Sequence, residues 1–194
     1  MTASVLLWDF GDTLVDERWM LRSPSSCPEW PNIWADVMRV HADDWNVGRI
    51  TEGEIFAALS EESRLSLTEV ERHVQHCCDT ITFNPIAWNL ATSRRLPQAV
   101  VTVNPDMFGT RIIGAHRLHD VFDAVVVSAD EGTDDKVTLC EIALHRLGFI
   151  GDRSDALLID NRQDLVEAWR RNGGAGYRYQ GDSVLAADVD RLLS

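Results

Sequence analysis

Four short apolar runs set the strongest limit on what this chain can fold into. They are Val5-Leu6-Leu7-Trp8, Ala99-Val100-Val101-Thr102-Val103, Ala124-Val125-Val126-Val127 and Ala156-Leu157-Leu158-Ile159. None alternates apolar with polar residues. Each therefore belongs in a strand covered on both faces, the arrangement of a parallel sheet under helices. Ala175 to Gln180 is a weaker fifth candidate. The stretches after the later runs have helical spacing. Lys136 to Leu147 carries Val137, Cys140, Ala143, Leu144 and Leu147 on one face, with Gly148 as a stop. Gln163 to Arg171 runs up to Asn172-Gly173-Gly174, and Asp182 to Leu193 forms a last helix. Strands alternating with helices predict an α/β fold, a Rossmann-like parallel sheet with helices on both faces.

The stretch from Asp16 to Arg95 reads differently, as helices without buried-strand runs. Thr51-Glu52-Gly53-Glu54 and Thr68-Glu69-Val70-Glu71 both fit the capping-box pattern. Ser23 to Pro28 is a loop, and Pro31 is suited to open the helix that follows. Trp19, Trp30, Trp34, Trp45 and Trp88 all fall here, either as the small core of this segment or as an aromatic wall facing a ligand. The expected organisation is an α/β core of residues 1–15 and 96–194, with an all-helical cap of residues 16–95 inserted after the first strand.

A length of 194 residues suits one core with such an insertion. With 18 Lys+Arg against 31 Asp+Glu, the net charge is −13. A chain so acidic repels phosphate backbones and anionic lipid, so neither nucleic acid nor membrane is the expected partner. No apolar run approaches the ~20 residues of a membrane span. The first residues lack a basic region, and Asp9 interrupts their apolar run, unlike a secretory signal. Cys27, Cys77, Cys78 and Cys140 show no CxxC spacing, and a reduced, cytoplasmic chain is expected. His73, His76 and Cys77 share a helical face, which suits either zinc or ordinary packing. The cations are 17 Arg and a single Lys, Lys136. Arginine replaces lysine on most solvated surfaces, but not where a compact ammonium is needed.

In open parallel sheets, ligands bind beyond the carboxyl ends of the strands. The first run ends at Asp9, the second at Thr102 with Asn104 just beyond, and the fourth at Asp160 with Asp164 four residues on. Lys136 follows the third across a glycine-containing loop. Carboxylates gathered on one rim repel one another, and a hard cation such as Mg²⁺ relieves them. With the metal and Lys136 opposing them, the same residues suit a phosphoryl or carboxylate substrate.

These motifs, in this order, resemble those of the haloacid dehalogenase (HAD) superfamily. Leu6-Leu7-Trp8-Asp9-Phe10-Gly11-Asp12-Thr13-Leu14-Val15 is similar to its first motif, hhhDxDxT[LV], and Thr102 to the second. Lys136 is similar to the third, and Ile159-Asp160-Asn161-Arg162-Gln163-Asp164 to the fourth. The resemblance implies that Asp9 is a nucleophile forming an aspartyl-phosphate. It implies Mg²⁺ held by Asp9, the Gly11 carbonyl, Asp160 and Asp164. Thr102, Asn104 and Lys136 would bind the transferred group of a small phosphorylated metabolite. The family's phosphatases carry a second Asp two residues after the nucleophile, as acid and base; here that position is Gly11. Turnover without it would favour activated esters, and a binding protein that has lost turnover is an alternative. The family's haloacid dehalogenases also lack that acid but need a cap arginine, for which Arg18 and Arg22 are candidates.

Overall fold

The computed structural model describes residues 3–93 and 96–193, with side chains described as far as residue 188. Met1, Thr2, Arg94, Arg95 and Ser194 lie outside the described residues, so the expected core–cap junction at 95 and 96 falls partly outside them.

Each of the apolar runs becomes a strand. β1 (Val5–Trp8), β2 (Gln98–Thr102), β3 (Ala124–Val127), β4 (Ala156–Asp160) and β5 (Ala175–Arg178) form one sheet in the order β3-β2-β1-β4-β5. All four pairings are parallel, with Leu7 opposite Ala99 on one side and Leu158 on the other. The pleat sends successive side chains to opposite faces. Leu6, Trp8, Val100, Leu157 and Ile159 enter one buried cluster, and Val5, Leu7, Ala99, Val101 and Leu158 enter another.

Between β1 and β2 the chain is helical. A 3₁₀ turn (Glu17–Leu21) precedes α1 (Trp30–Asn46), α2 (Glu52–Ser63), α3 (Leu67–Asp79) and α4 (Pro85–Ser93). Pro31 lies in the first turn of α1, and Thr51 with Glu54 forms the expected capping box of α2. The box of α3 is corrected: Ser66 and Glu69 make it, two residues before the Thr68–Glu71 pair. Helix α4 belongs by contact to the sheet side. It packs on the C-terminal helix, where the Asp182 carboxylate accepts the Ile86 and Ala87 N–H groups.

After β2 the chain passes through a π-helical turn (Phe108–Ile112) into α5 (Ile113–Ala115) and on to β3. α6 (Ser128–Glu131) and α7 (Lys136–Arg146) separate β3 from β4, α8 (Gln163–Arg171) crosses to β5, and α9 (Asp182–Leu193) closes the chain. The face of Val5 and Leu7 is covered by Leu139, Cys140, Ala143 and Leu144 of α7 and by Trp169 of α8. None of the described helices is long and apolar enough to cross a membrane.

One buried polar side chain ties the sheet to its helices. Gln98 accepts from the Trp8 indole at 3.1 Å and donates to the carbonyls of Ala91 and Val121 at 2.7 and 3.0 Å. Gln98→Met keeps the volume but leaves a buried indole N–H and two carbonyls short of partners. It should cost ~2–4 kcal/mol, read from the urea midpoint at unchanged slope.

Candidate active site

The strand ends of the sheet meet at Lys136. As the first residue of α7, it is positioned by Asp135, whose carboxylate caps the helix by accepting the Thr138 N–H at 2.9 Å. Its side chain is buried. The ammonium donates to Asp9 Oδ1 and to the Val101 carbonyl, both at 2.7 Å. It lies 2.9 Å from Asp160 Oδ2. That approach is off the hydrogen-bond direction, so Asp160 Oδ2, fully buried, has no hydrogen-bond partner. Asp160 Oδ1 accepts from the Arg162 backbone at 2.8 Å.

Thr13 bridges the first and fourth strand ends. Its hydroxyl donates to Asp9 Oδ2 at 3.3 Å and accepts from the Asn161 N–H at 3.1 Å. Burial, offset in part by Lys136 and reinforced by Asp160, pushes the Asp9 carboxyl up to about 6. Burial alone would depress Lys136, but Asp9 and Asp160 outweigh it and hold the ammonium above its ordinary range.

Over this cluster opens a crevice of about 360 Å³ between the strand ends and the helical segment. Asp9, Gly11, Thr102, Asn104, Lys136 and Asp160 all line it. Six of the seven expected site residues are thus brought together. Thr102 Oγ1 accepts from the Asn104 amide at 2.6 Å, and the Asn104 backbone N–H is tied to Ser128 Oγ at 2.9 Å.

Asp164 is the exception. Its exposed carboxylate is held by the Arg162 guanidinium at 2.7 Å, which keeps its pKa below the usual range, and it does not line the crevice. As an acid in the first turn of α8 it serves the helix end. Arg18 and Arg22 are also elsewhere: Arg18 pairs with Asp16, and Arg22 donates to Thr80 at 2.9 and 2.6 Å. Neither lines the crevice. His73 binds the Arg22 carbonyl at 2.8 Å, and no cluster of three metal-binding side chains occurs among the described residues.

Asp12 faces away from the crevice, in the left-handed conformation at φ 49°, and accepts the Glu17 backbone N–H at 3.1 Å. Glu17 itself lines the crevice. Its outer edge stays in water, yet the crevice walls, and then Asp9 and Asp12, push its carboxyl up to about 7. The motifs give Glu17 no place, and Asn161 and Arg162 stand within the fourth motif without a role. Only Glu17's nearness to an empty acid position hinted at it. The tryptophans divide between the two expected roles. Trp30 is buried in the segment, while Trp19, Trp34 and Trp45 form crevice wall as well. Trp88, within α4, stacks on Phe83 at 4.0 Å.

No family model and no curated protein matches the sequence. Solved structures do match in fold. A predicted HAD-like family hydrolase from Porphyromonas gingivalis has a TM-score of 0.73 at 17% identity, covering 98% of each chain. The chain has the HAD-like hydrolase fold. It is also similar to a HAD family enzyme from Bacteroides thetaiotaomicron in complex with magnesium and inorganic phosphate. That match has a TM-score of 0.70 and 14% identity, over 92% of this chain and 95% of the other. An L-2-haloacid dehalogenase from Xanthobacter autotrophicus matches at TM-score 0.68 and 15% identity, over 98% and 83%. Within this fold, the cluster around Lys136 sits at the strand ends, where ligands bind in parallel sheets.

Removing the ammonium leaves two buried carboxylates facing each other. Lys136→Met should cost ~3–5 kcal/mol in metal-free buffer at pH 7.5, measured by denaturant unfolding. A surface lysine would show almost no change.

Proposed function

We propose that this chain is a Mg²⁺-dependent phosphatase acting on a small phosphorylated metabolite, with the helical segment serving as its cap. The observation that carries the reading is the buried Asp9–Lys136–Asp160 cluster, two carboxylates on one ammonium, with an Asp160 oxygen lacking a hydrogen-bond partner at the crevice floor. Such a cluster keeps one excess negative charge, and the Asp160 oxygen, in ion-pair contact with Lys136 but without a hydrogen bond, suits a hard cation. Asp9, Asp160 and the Gly11 carbonyl would hold it. Bound there, Mg²⁺ supplies positive charge to the phosphoryl oxygens of the substrate.

The chain's own groups supply the rest. Asp9 Oδ attacks phosphorus and displaces the leaving oxygen as its bond to phosphorus breaks, forming an aspartyl-phosphate, which water hydrolyses to inorganic phosphate and free Asp9. Lys136 fixes the Asp9 carboxylate and neutralises charge as it develops. Thr102 and Asn104 offer a hydroxyl and an amide to phosphoryl oxygens. The wall of Trp19, Met20, Trp34, Met38 and Trp45 receives the leaving group and sheds water from it. The volume suits a small molecule.

Gly11 favours a second reading, a phosphate- or Mg²⁺-binding protein without turnover. Steady-state release of phosphate separates it from stoichiometric binding. The dehalogenase reading lacks support in the crevice, since Arg18 and Arg22 are engaged outside it.

Asp9→Asn and Asp160→Asn should each abolish phosphate release while the melting transition persists. Beryllofluoride with Mg²⁺ should raise the melting temperature of the wild type and not of Asp9→Asn. Hydrolysis by Asp9→Asn at the wild-type rate would exclude the covalent route. Lys136→Arg should lose activity although the charge is kept, because a planar guanidinium does not fit a point-charge site between two carboxylates. An unchanged kcat/KM would refute that role.

A further inference from the structure

Gly11 is not glycine for its backbone. Its φ lies outside the left-handed region, so any residue could adopt its conformation. The space beside it is taken by another side chain: a Cβ built on Gly11 would overlap the Glu17 carboxyl and lie 2.9 Å from Glu17 Cγ, so Glu17 would have to move aside. Glu17 comes from the 3₁₀ turn that leaves β1, held there by the Asp12 carboxylate on its backbone N–H. Among the described residues its carboxyl has no hydrogen-bond or ion-pair partner, although it lines the crevice with Asp9 and Lys136.

The geometry points to Glu17 as the acid and base of this site, its carboxyl filling the volume that a side chain at position 11 would occupy. The inference rests on the phosphatase reading above. In the first step Asp9 bonds to phosphorus, the bond from phosphorus to the leaving oxygen breaks, and the Glu17 proton passes to that oxygen. In the second, Glu17 takes a proton from water, the water oxygen bonds to phosphorus, and the bond to Asp9 breaks. Alkyl phosphates, whose alkoxides leave poorly unprotonated, then come within reach of the wild type. This displaces the expectation from Gly11 alone, which favoured activated esters.

The test compares p-nitrophenyl phosphate with glycerol phosphate on the wild type and Glu17→Gln, both with Mg²⁺. Glu17→Gln should lose ~10²-fold or more in kcat/KM on the alkyl ester. On the aryl ester kcat/KM should hold within about threefold, since nitrophenolate leaves without a proton. Its kcat should fall, with a stoichiometric burst of nitrophenolate as water attack becomes limiting. Gly11→Asp combined with Glu17→Ala should recover alkyl activity relative to Glu17→Ala alone. The rise in melting temperature with Mg²⁺ alone should be the same in Glu17→Gln as in the wild type. Equal losses on both esters, no loss on either, or a lost Mg²⁺ response would each overturn the role of Glu17 while leaving the phosphatase reading intact. A wild type that releases phosphate from neither ester would overturn the phosphatase reading, and Glu17 with it.

Discussion

The ammonium of Lys136 is the point on which the strand ends depend. Burying a cation is costly unless anions and acceptors surround it. Here they come from three strands, Asp9 after β1, the Val101 carbonyl within β2 and Asp160 at the end of β4. Those strands are neighbours around β1, so one side chain from α7 draws the middle of the sheet together at its carboxyl edge. The balance is incomplete, with two carboxylates against one ammonium. A buried excess charge of this kind is relieved either by a proton or by a second cation. The upward displacement of Asp9 is the first route, and the Asp160 oxygen that makes no hydrogen bond, in ion-pair contact with the ammonium, suits the second.

What was legible in the sequence follows from the same architecture. A strand buried on both faces must be apolar throughout, so the runs marked β1 to β4 to within a residue or two. A residue at a strand end has only one place to go, which is why Asp9, Thr102 and Asp160 could be placed before any contact was known; Lys136, at the start of α7, follows the third strand across a loop. Signals that depend on local geometry were harder. Ser66 and Thr68 both suit a capping box, and the choice falls to Ser66 because the helix starts at Leu67. Asp164 has the spacing of a site residue, but Arg162, two residues earlier, holds it at the surface. The tryptophans could not be divided between core and crevice, because no period in a segment of separate helices says which face looks at the sheet.

The helical segment is seated by directional contacts on the β2–β3 side. Asp106 accepts from the Trp45 indole at 2.7 Å and from the Glu52 N–H at 3.0 Å. Ser128 Oγ donates to the Asn46 carbonyl at 2.5 Å. Arg111, over the Phe56 ring, pairs with Glu52 at 2.8 Å. Gly48, at φ +69°, passes so close to Ala129 that a Cβ would stand 2.5 Å from the Ala129 carbonyl oxygen. Polar ties of this kind hold only in one geometry, so the end of α1, with Trp45 over the floor, is fixed relative to Asn104 and Lys136.

The other margin of the crevice is built by chain economy. Between Asp9 and Glu17 lie seven residues, and within them Thr13 steadies the Asp9 carboxylate while Asp12 turns the chain and receives the Glu17 N–H. Asp12 adopts a left-handed conformation that asparagine and aspartate tolerate better than most residues. That turn aims the Glu17 carboxyl back at the space beside Gly11. A glycine at position 11 and a glutamate at position 17 are therefore one feature. The glycine makes the room, the glutamate fills it, and neither residue alone reveals the pairing. A substitution at either position has to be read through the other. A side chain added at 11 displaces a carboxyl as well as adding atoms, and truncation at 17 opens a void beside a backbone free to carry a new residue.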